Sequence, residues 1–252
     1  YNNYSFENLS YSLPSLEKVF NIDLSAPLRN TFREYIWAGW IKEKRWFEHG
    51  DSGAELASAN NWAYILGKYR DPMLSWFYHW LKPTDTARQP VLTFEDALFL
   101  TSDIPQSSPF TLNPNKLFRQ KGTVVFKGGW DTDDLTFVMR SGPFYNHQHI
   151  DQGSFWLADK GQIFVRERPL ANTDYYDDPI YESWYTQPVG HSTILIDGNP
   201  QSQRTGDPPH FAQGFDDHAS ITHFLDGRFA AFATGDIGKL YWGKVKKMTR
   251  NA

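Results

Sequence analysis

The spacing of apolar residues changes once along this sequence, within residues 102–115, and the two sides of that change need different secondary structure. From residue 12 to about residue 100 the spacing follows the helical period, whereas beyond residue 115 it follows the period of two that strands require. One face of the first long helical segment carries Leu28, Phe32, Tyr35, Ile36 and Trp40. Helices first and strands afterwards predict an α+β chain in which the two kinds of element are segregated.

Capping signals divide the first half into successive helices. The signals are Asp51-Ser52, Asp71-Pro72 and the pair Thr93 and Asp96. Asp and Ser accept hydrogen bonds from the free N–H groups of a first helical turn, and Pro suits that turn. The spacing of Thr93 and Asp96 is that of a capping box. We therefore expect antiparallel helices joined by short connections.

Seven β-prone runs follow the change in spacing. They are 123–126, 135–140, 154–158, 162–166, 192–196, 219–224 and 228–233. Turns that contain glycine separate several of them, at 159–161, 197–198 and 226–227. Seven short strands without intervening helices predict an antiparallel β-sandwich.

Charge and composition exclude several classes of protein. The 252 residues carry a net charge of −4, so no overall basic field favours nucleic acid. No run approaches the roughly 18 apolar residues of a membrane span. Without cysteine, the strong metal ligands are His, Asp and Glu. Aromatic residues make up 17% and suit either a core or a cleft that stacks on sugar rings.

Two histidines and an aspartate alternate in the segment 145–155. If the segment is extended, His147, His149 and Asp151 share one face within roughly 14 Å of chain. Two imidazoles and a carboxylate this close suit a metal site or an acid–base site; the alternative is a surface loop whose side chains bond to water. The H-x-H-x-D-H motif of metallo-β-lactamase-type hydrolases is excluded, because position 152 is Gln and the preceding segment is helical.

The order of these motifs resembles the heparinase II/III-like family. The matching pieces are the run from Asn146 to Phe155, a hairpin closed by Gly161, the run from Gly190 to Gly198, and Gln201. Residues 47–52 are similar to a G-D-S turn of the family's helical domain. The resemblance implies the C-terminal part of an α/α toroid over 1–115, then an antiparallel β-sandwich over 116–252. The sequence, which starts at Tyr1 without an initiator Met, is expected to be an internal fragment with a truncated sandwich.

The resemblance also implies roles in catalysis and substrate binding. His147 matches the catalytic histidine of the family, and Tyr1, with Tyr4 as its neighbour, matches the catalytic tyrosine. The residues expected to bind substrate are Asn146, Arg140 and Arg166. The alternative for each arginine is a solvated position at a strand edge.

A metal is implied by the same resemblance. The implied ligands are His149, Glu167 and His191. Two imidazoles and one carboxylate suit a divalent cation, zinc in the first place and manganese or calcium otherwise. In the family this ion orders the site more than it carries the chemistry.

The implied activity is β-elimination on a uronic-acid-containing polysaccharide. The C5 proton of a uronate is weakly acidic, so elimination needs a neutralised carboxylate, a base at C5 and an acid at the leaving oxygen. A C5-epimerase of the same superfamily, a non-catalytic carbohydrate-binding sandwich and a metal-dependent hydrolase are the alternatives. The expected partner is an anionic uronic-acid polysaccharide or oligosaccharide, with no nucleic acid and no membrane, and the oligomeric state is left open. The family implies a periplasmic or secreted location.

Overall fold

The computed structural model describes residues 2–40, 45–47, 49–50, 59–82, 93–100, 103–144, 149–167, 179–199, 203, 218–241 and 243–252; the side chains of residues 2–7, 40 and 61 lie outside this description. Contacts divide the chain into two units. The first comprises Tyr1–Trp46 and Glu55–Leu112, and the second comprises Phe47–Ala54 and Asn113–Ala252. The limits of 1–115 and 116–252 stay a prediction, because contacts do not show which part folds by itself.

The first unit is helical. Its α-helices are α1 (Asn2–Phe20), α2 (Ala26–Glu34), α3 (Ala63–Tyr69), α4 (Pro72–Leu81) and α5 (Phe94–Phe99). Its core is aromatic: the buried ring of Trp62 lies 5.5 Å from that of Phe32 and 4.9 Å from that of Phe77, between centroids. None of the described helices has the length and apolar content that crossing a membrane requires.

Two of the predicted helix starts are confirmed. Asp71 accepts hydrogen bonds from the backbone N–H groups of Met73 and Leu74, at 3.0 and 3.1 Å, and caps α4. Thr93 and Asp96 form the capping box of α5. The predicted start at residues 51–52 lies outside the described residues.

Helix α2 ends earlier than the apolar spacing predicts. After Glu34 the chain makes a 3₁₀ turn, Tyr35–Ala38, and then a two-residue strand, β1 (Gly39–Trp40), which pairs with β2 (Arg45–Trp46). The ring of Tyr35 packs edge-on against that of Trp46 at 4.3 Å. This contact between residues distant in sequence outweighs the local helical preference.

The second unit contains two antiparallel sheets. The five-stranded sheet has the order β3-β4-β5-β6-β7, with β3 (Lys116–Phe118), β4 (Thr123–Lys127), β5 (Thr136–Arg140), β6 (Phe155–Asp159) and β7 (Gln162–Val165). The three-stranded sheet has the order β10-β9-β8, with β8 (Ser220–Asp226), β9 (Ala231–Asp236) and β10 (Thr249–Asn251). Strand β3 was not predicted, because three residues are too few to show alternation.

The two sheets pack face to face. One buried cluster combines Val124 and Met139 of the first sheet with Ile221 and Ala233 of the second. Apolar residues on the two inner faces therefore form the core of a β-sandwich. The predicted fold class, a helical part followed by an antiparallel β-sandwich, is confirmed, while the α/α toroid stays a prediction.

The predicted strand over 192–196 is wrong, since this segment runs as turns and bends. Two hydroxyl groups bond it to the backbone around β6. Ser192 Oγ accepts from the Phe155 N–H at 2.9 Å and donates to its carbonyl at 3.0 Å, and Thr193 Oγ1 donates to the Gln152 carbonyl at 2.8 Å. Side-chain hydrogen bonds here replace a backbone ladder.

Strand β10 supplies a further support for the same segment. Its Arg250 guanidinium donates to the carbonyl of Gly153 and, at 2.6 Å, to that of Ser192. The same guanidinium lies 5.2 Å from the ring centroid of Phe155. A residue of the three-stranded sheet thus holds backbone on the other side of the sandwich.

Candidate active site and metal centre

The predicted H-x-H segment lies between β5 and β6, and the two ends of this loop are tied together. Beyond the strands, the Arg140 N–H donates to the Ser154 carbonyl at 3.0 Å, and the Gly153 N–H donates to the Arg140 carbonyl at 2.7 Å. The side-chain oxygen of Gln152 accepts from the Gly142 N–H at 2.6 Å. These bonds close the neck of the loop and fix where it leaves the sheet.

A buried ion pair lies at this neck. The side chains of Arg140 and Asp151 are both 0% exposed, and Nε of the arginine is 3.1 Å from Oδ1 of the aspartate. Burial raises the pKa of Asp151, but the charge of Arg140 and of nearby histidines lowers it by more, so the pKa lies below its ordinary value. Asp151 is therefore an anion at neutral pH.

Arg140, which we expected to bind substrate, uses its guanidinium within the protein. Besides the ion pair, its Nη2 donates to the Pro143 carbonyl at 3.1 Å. A fully buried guanidinium that forms an ion pair with Asp151 and donates to the Pro143 carbonyl positions the neck of the loop. Direct contact between Arg140 and a sugar stays a prediction.

The three predicted metal ligands lie close to one another. Glu167 and His191 have side chains that are 2% exposed, and Oε2 of the carboxylate contacts Nδ1 of the imidazole. The ring of the buried His149 lies 5.1 Å from that of His191, between centroids. Glu167 Oε1 accepts from the Ser192 hydroxyl at 3.1 Å. The fold thus brings together side chains that the sequence separates by up to 42 positions, from 149 to 191.

A single π-helical turn, Tyr181–Tyr185, supports these ligands from one side. Nε2 of His191 bonds to the Tyr185 carbonyl at 2.9 Å, and the N–H of Ile150 donates to the Thr186 carbonyl at 2.8 Å. Such turns often occur at functional sites because they re-aim backbone groups. Here the turn directs two carbonyls at the residues that carry or adjoin the candidate ligands.

The donor set fits a divalent cation in residue type and in its supporting bonds. When the Nε2–H of His191 donates to a carbonyl, Nδ1 is left for an ion, as in many metal-bound histidines. Among the described side chains, however, no group of three or more His, Asp or Glu is already spaced to hold an ion. Glu167 and His191 contact each other instead: although burial lowers the pKa of His191, its hydrogen bond to Glu167 raises it above the ordinary value. The metal stays a prediction.

His49 belongs to this site, although we predicted no role for it. Burial lowers the pKa of His49 to about 3, and the charges of Arg140 and Lys121 act in the same direction. The imidazole is therefore neutral at physiological pH. The only sequence signal was its place in the turn-like run 47–52, which says nothing about its neighbours in space.

Gln203 is a second residue that the sequence did not single out. Its side chain is buried and exchanges two hydrogen bonds with the backbone of Gln152, at 3.1 and 2.6 Å. It also donates to the Thr193 hydroxyl at 2.7 Å and to the Tyr241 hydroxyl at 3.1 Å. The motif residue Gln201 lies outside the described residues.

The other predicted site residues are less informative. Tyr1, Asn146 and His147 lie outside the described residues. The backbone of Tyr4 is part of α1, but its side chain is not described. Arg166 follows β7 and is exposed. Their roles in catalysis and binding stay predictions.

Comparison with known proteins finds a family model that matches part of the chain. Residues 111–216 match the family model described as heparinase II/III-like, C-terminal. No curated protein matches the sequence.

Several solved structures are similar to the chain. Heparinase III superposes with a TM-score of 0.61 and 14% identity, covering 90% of this chain and 32% of that chain. Heparan sulfate lyase HepC from Pedobacter heparinus gives a TM-score of 0.60 and 16% identity, covering 98% of this chain and 33% of that one. The heparinase III BT4657 gene product gives 0.53 and 14%, covering 86% and 28%. Identities this low show the fold alone, and the chain spans about a third of the length of these structures.

Proposed function

We propose that the protein is a polysaccharide lyase acting on a uronic-acid-containing polysaccharide, starting from the match of residues 111–216 to the heparinase II/III-like, C-terminal family model. One observation carries the proposal: the closed loop that bears the H-x-H motif adjoins a buried group of His149, Glu167 and His191. A surface loop whose side chains bond only to water would not need such a buried group of ionisable side chains beside it.

In this proposal the reaction is a β-elimination with Tyr and His as acid and base. We assign these two tasks to His147 and Tyr1. One of them takes the C5 proton as base, and the other protonates the leaving oxygen as acid. Tyrosine has an ordinary pKa near 10, so Tyr1 needs a hydrogen-bonding or positive neighbour to act as base. The neck formed by Arg140, Asp151 and Gln152 lies within a few positions of His147 in the sequence.

We further propose that His149, Glu167 and His191 hold a divalent cation. When bound, the ion supplies a positive charge that orders the ligand side chains and favours an anionic sugar nearby. The Tyr185 carbonyl and the Ser192 hydroxyl orient His191 and Glu167 for this purpose. Metal content measured by mass spectrometry tests it: the intact protein is expected to retain about one ion that His191→Ala loses, and an equal content in both would contradict the site.

The partner under this proposal is a glycosaminoglycan or a related uronan, and the location is periplasmic or secreted. Two of the similar structures are heparinases III and one is a heparan sulfate lyase. This makes heparan sulfate the first polymer to offer, with chondroitin, alginate and ulvan beside it.

The test is the ultraviolet absorbance of unsaturated uronate, followed while the intact protein is incubated with each polymer. We expect absorbance to rise with at least one of them. His147→Ala is expected to lower kcat by about 10²- to 10⁴-fold, which is typical of losing a general acid or base. His223→Ala, a substitution on the exposed face of β8, is the matched control and should leave the rate unchanged.

The possible outcomes separate the competing functions. No absorbance with any polymer, together with exchange of the C5 proton into solvent, would replace the lyase by an epimerase. Cleavage that yields saturated ends would indicate a hydrolase. Binding without either reaction would leave a carbohydrate-binding sandwich.

A further inference from the structure

Lys121 lies in the turn between β3 and β4, and this turn is fixed against the neck of the H-x-H loop. The Ser141 N–H donates to the Gly122 carbonyl at 2.6 Å. A Cβ placed on Gly142 would come within 2.3 Å of the Lys121 carbonyl oxygen, so the two backbones touch and only glycine fits there. The Lys121 side chain therefore starts from a rigid position beside the loop.

Within the described part of the chain, positive charge exceeds negative charge around Lys121. Its electrostatic neighbours are Arg140 and Asp151, and His49 also senses its charge. Asp151 is the ion-pair partner of Arg140: its Oδ1 lies 3.1 Å from Nε of Arg140 and accepts a hydrogen bond from the Gln152 amide. Among the residues that the structure describes, two cations thus share one anion.

The Lys121 ammonium is the unpaired member of this group. It makes neither an ion pair nor a hydrogen bond with any other residue that the structure describes. Burial lowers its pKa to about 8, with Arg140 acting in the same direction and Asp151 in the opposite one. At neutral pH the side chain is still mainly charged, although its surroundings disfavour that charge.

Lys121 is the more exposed cation of this group. Arg140 is 0% exposed, whereas Lys121 is partly exposed. A partly desolvated cation held on a rigid turn binds an anion more tightly than a solvated surface lysine, because much of its hydration has already been lost. An arriving anion would supply the negative charge that Lys121 does not receive from the residues that the structure describes.

We propose that Lys121 is a substrate-binding residue that takes an anionic group, carboxylate or sulfate, of a sugar unit bound beside the neck formed by Arg140, Asp151 and Gln152. The proposal rests on the proposed function, since it gives that site the means to select anionic sugars. It differs from the expected use of Arg140, whose guanidinium positions the loop. Lys121 acts in binding and does not transfer a proton.

The experiment measures binding by titration calorimetry to the intact protein carrying His147→Ala, so that the oligosaccharide is not cleaved. The probes are a non-sulfated heparosan oligosaccharide and a heparan sulfate oligosaccharide of the same length. Added Lys121→Gln is expected to weaken binding about tenfold or more, because it removes a charge-assisted hydrogen bond. Lys121→Arg should keep the affinity within about threefold, and Lys160→Gln, in the exposed turn between β6 and β7, should not change it.

Two further readouts separate binding from structure. With His147 intact, Lys121→Gln should raise KM about tenfold while kcat changes less than about threefold. The melting temperature of Lys121→Gln should equal or exceed that of the wild type, because the substitution removes a charge without a partner. A lower melting temperature that Lys121→Arg does not restore would show a structural role and overturn the proposal.

The sugar arms identify the anion. Equal loss of affinity for both oligosaccharides assigns Lys121 to the carboxylate, and loss confined to heparan sulfate assigns it to a sulfate. Unchanged affinity in Lys121→Gln overturns the inference but leaves the lyase in place if cleavage is observed. Lys121-dependent binding without cleavage overturns the lyase and leaves the inference in place, and an intact protein that binds neither probe overturns both.

Discussion

Two lysines, one in the helical unit and one in the sandwich, differ in whether the ammonium group has an ion-pair partner. Lys82 and Asp96 have side chains 3% and 10% exposed and form a salt bridge. The Tyr78 hydroxyl and, at 3.0 Å, the Thr93 hydroxyl also donate to this carboxylate. Lys121, in contrast, has no partner of either kind among the described parts of the chain.

The difference separates charges that stabilise a fold from charges that remain available to a ligand. Breaking a buried ion pair is strongly destabilising, because the remaining charge is then buried without its partner. A cation without a partner makes no stabilising ion pair, so its removal should not lower the free energy of unfolding. Substitutions that unpair or remove each charge therefore test the comparison directly.

The largest expected effect is that of Asp96→Ala. It leaves Lys82 buried without its counterion and removes the capping box of α5, so the free energy of unfolding should fall by about 3 to 5 kcal/mol. Urea unfolding followed by circular dichroism measures it. Glu95→Ala, in the same helical turn, is the control and should cost less than about 1 kcal/mol. Equal losses in the two variants would mean that the pair matters no more than a helix-end charge.

The next effect concerns the ion pair of the sandwich. Arg140→Met leaves the buried Asp151 without its ion-pair partner, and it should lower the free energy of unfolding by about 3 kcal/mol and abolish detectable catalysis. Arg119→Met, in the exposed part of the neighbouring turn, should change neither. Retained activity in Arg140→Met would show that the loop keeps its position without the pair.

Lys127→Met should change stability in the opposite direction. Lys127 is 7% exposed, and burial lowers its pKa from the ordinary 10.5 to about 7, even though its ammonium lies 4.8 Å from the ring centroid of Trp130. Replacing the charge by an apolar chain of similar length should stabilise the fold by about 1 to 3 kcal/mol at pH 6.

The pH dependence of that gain follows from the sign of the shift. Between about pH 7 and 10.5 the unfolded chain binds more protons at Lys127 than the folded one, so the wild type becomes more stable as the pH rises. The advantage of Lys127→Met should therefore be largest below pH 7 and shrink toward pH 10. Thermal melts of both proteins from pH 5 to 9 measure this, and a constant difference would contradict the lowered pKa.

The smallest effect is expected for Lys121→Gln. Burial lowers the pKa of Lys121 to about 8, a smaller shift than that of Lys127, so removing its charge should stabilise the fold by less. The free energy of unfolding should change by less than about 1 kcal/mol at pH 6, with a stabilising sign. A loss comparable to that of Asp96→Ala would mean that Lys121 has a structural partner after all.

Signals that act over a few residues could be predicted from the sequence. The caps at Asp71 and Thr93 depend on residues two or three positions away, and the structure has both. Four of the five strands of the larger sheet follow from alternation and turn residues. The run 192–196 has the same alternation, but its hydroxyls bond to backbone near β6, which no pattern within the run reveals.

The candidate site divides in the same manner. Grouping His149, Glu167 and His191 rested on family resemblance, because residues this far apart give no local signal of proximity. His49 and Lys121 were missed, since their importance lies in the charges that surround them in space. Arg140 is a similar case. The sequence does not show whether an arginine at a strand end is exposed or is buried in an ion pair, as Arg140 is with Asp151.

The segment that carries His191 has no strand of its own and is attached by Ser192, Thr193 and Arg250. Arg250 is 58 positions beyond Ser192 and belongs to the opposite sheet. The orientation of the neighbouring His191, a candidate ligand, therefore depends on a residue far from its own motif. The segment is thus connected by hydrogen bonds to both sheets of the sandwich. The apolar cores of the sheets should tolerate redesign as long as the three attachments persist, whereas a small change at any of them would misalign the site in a protein that still folds.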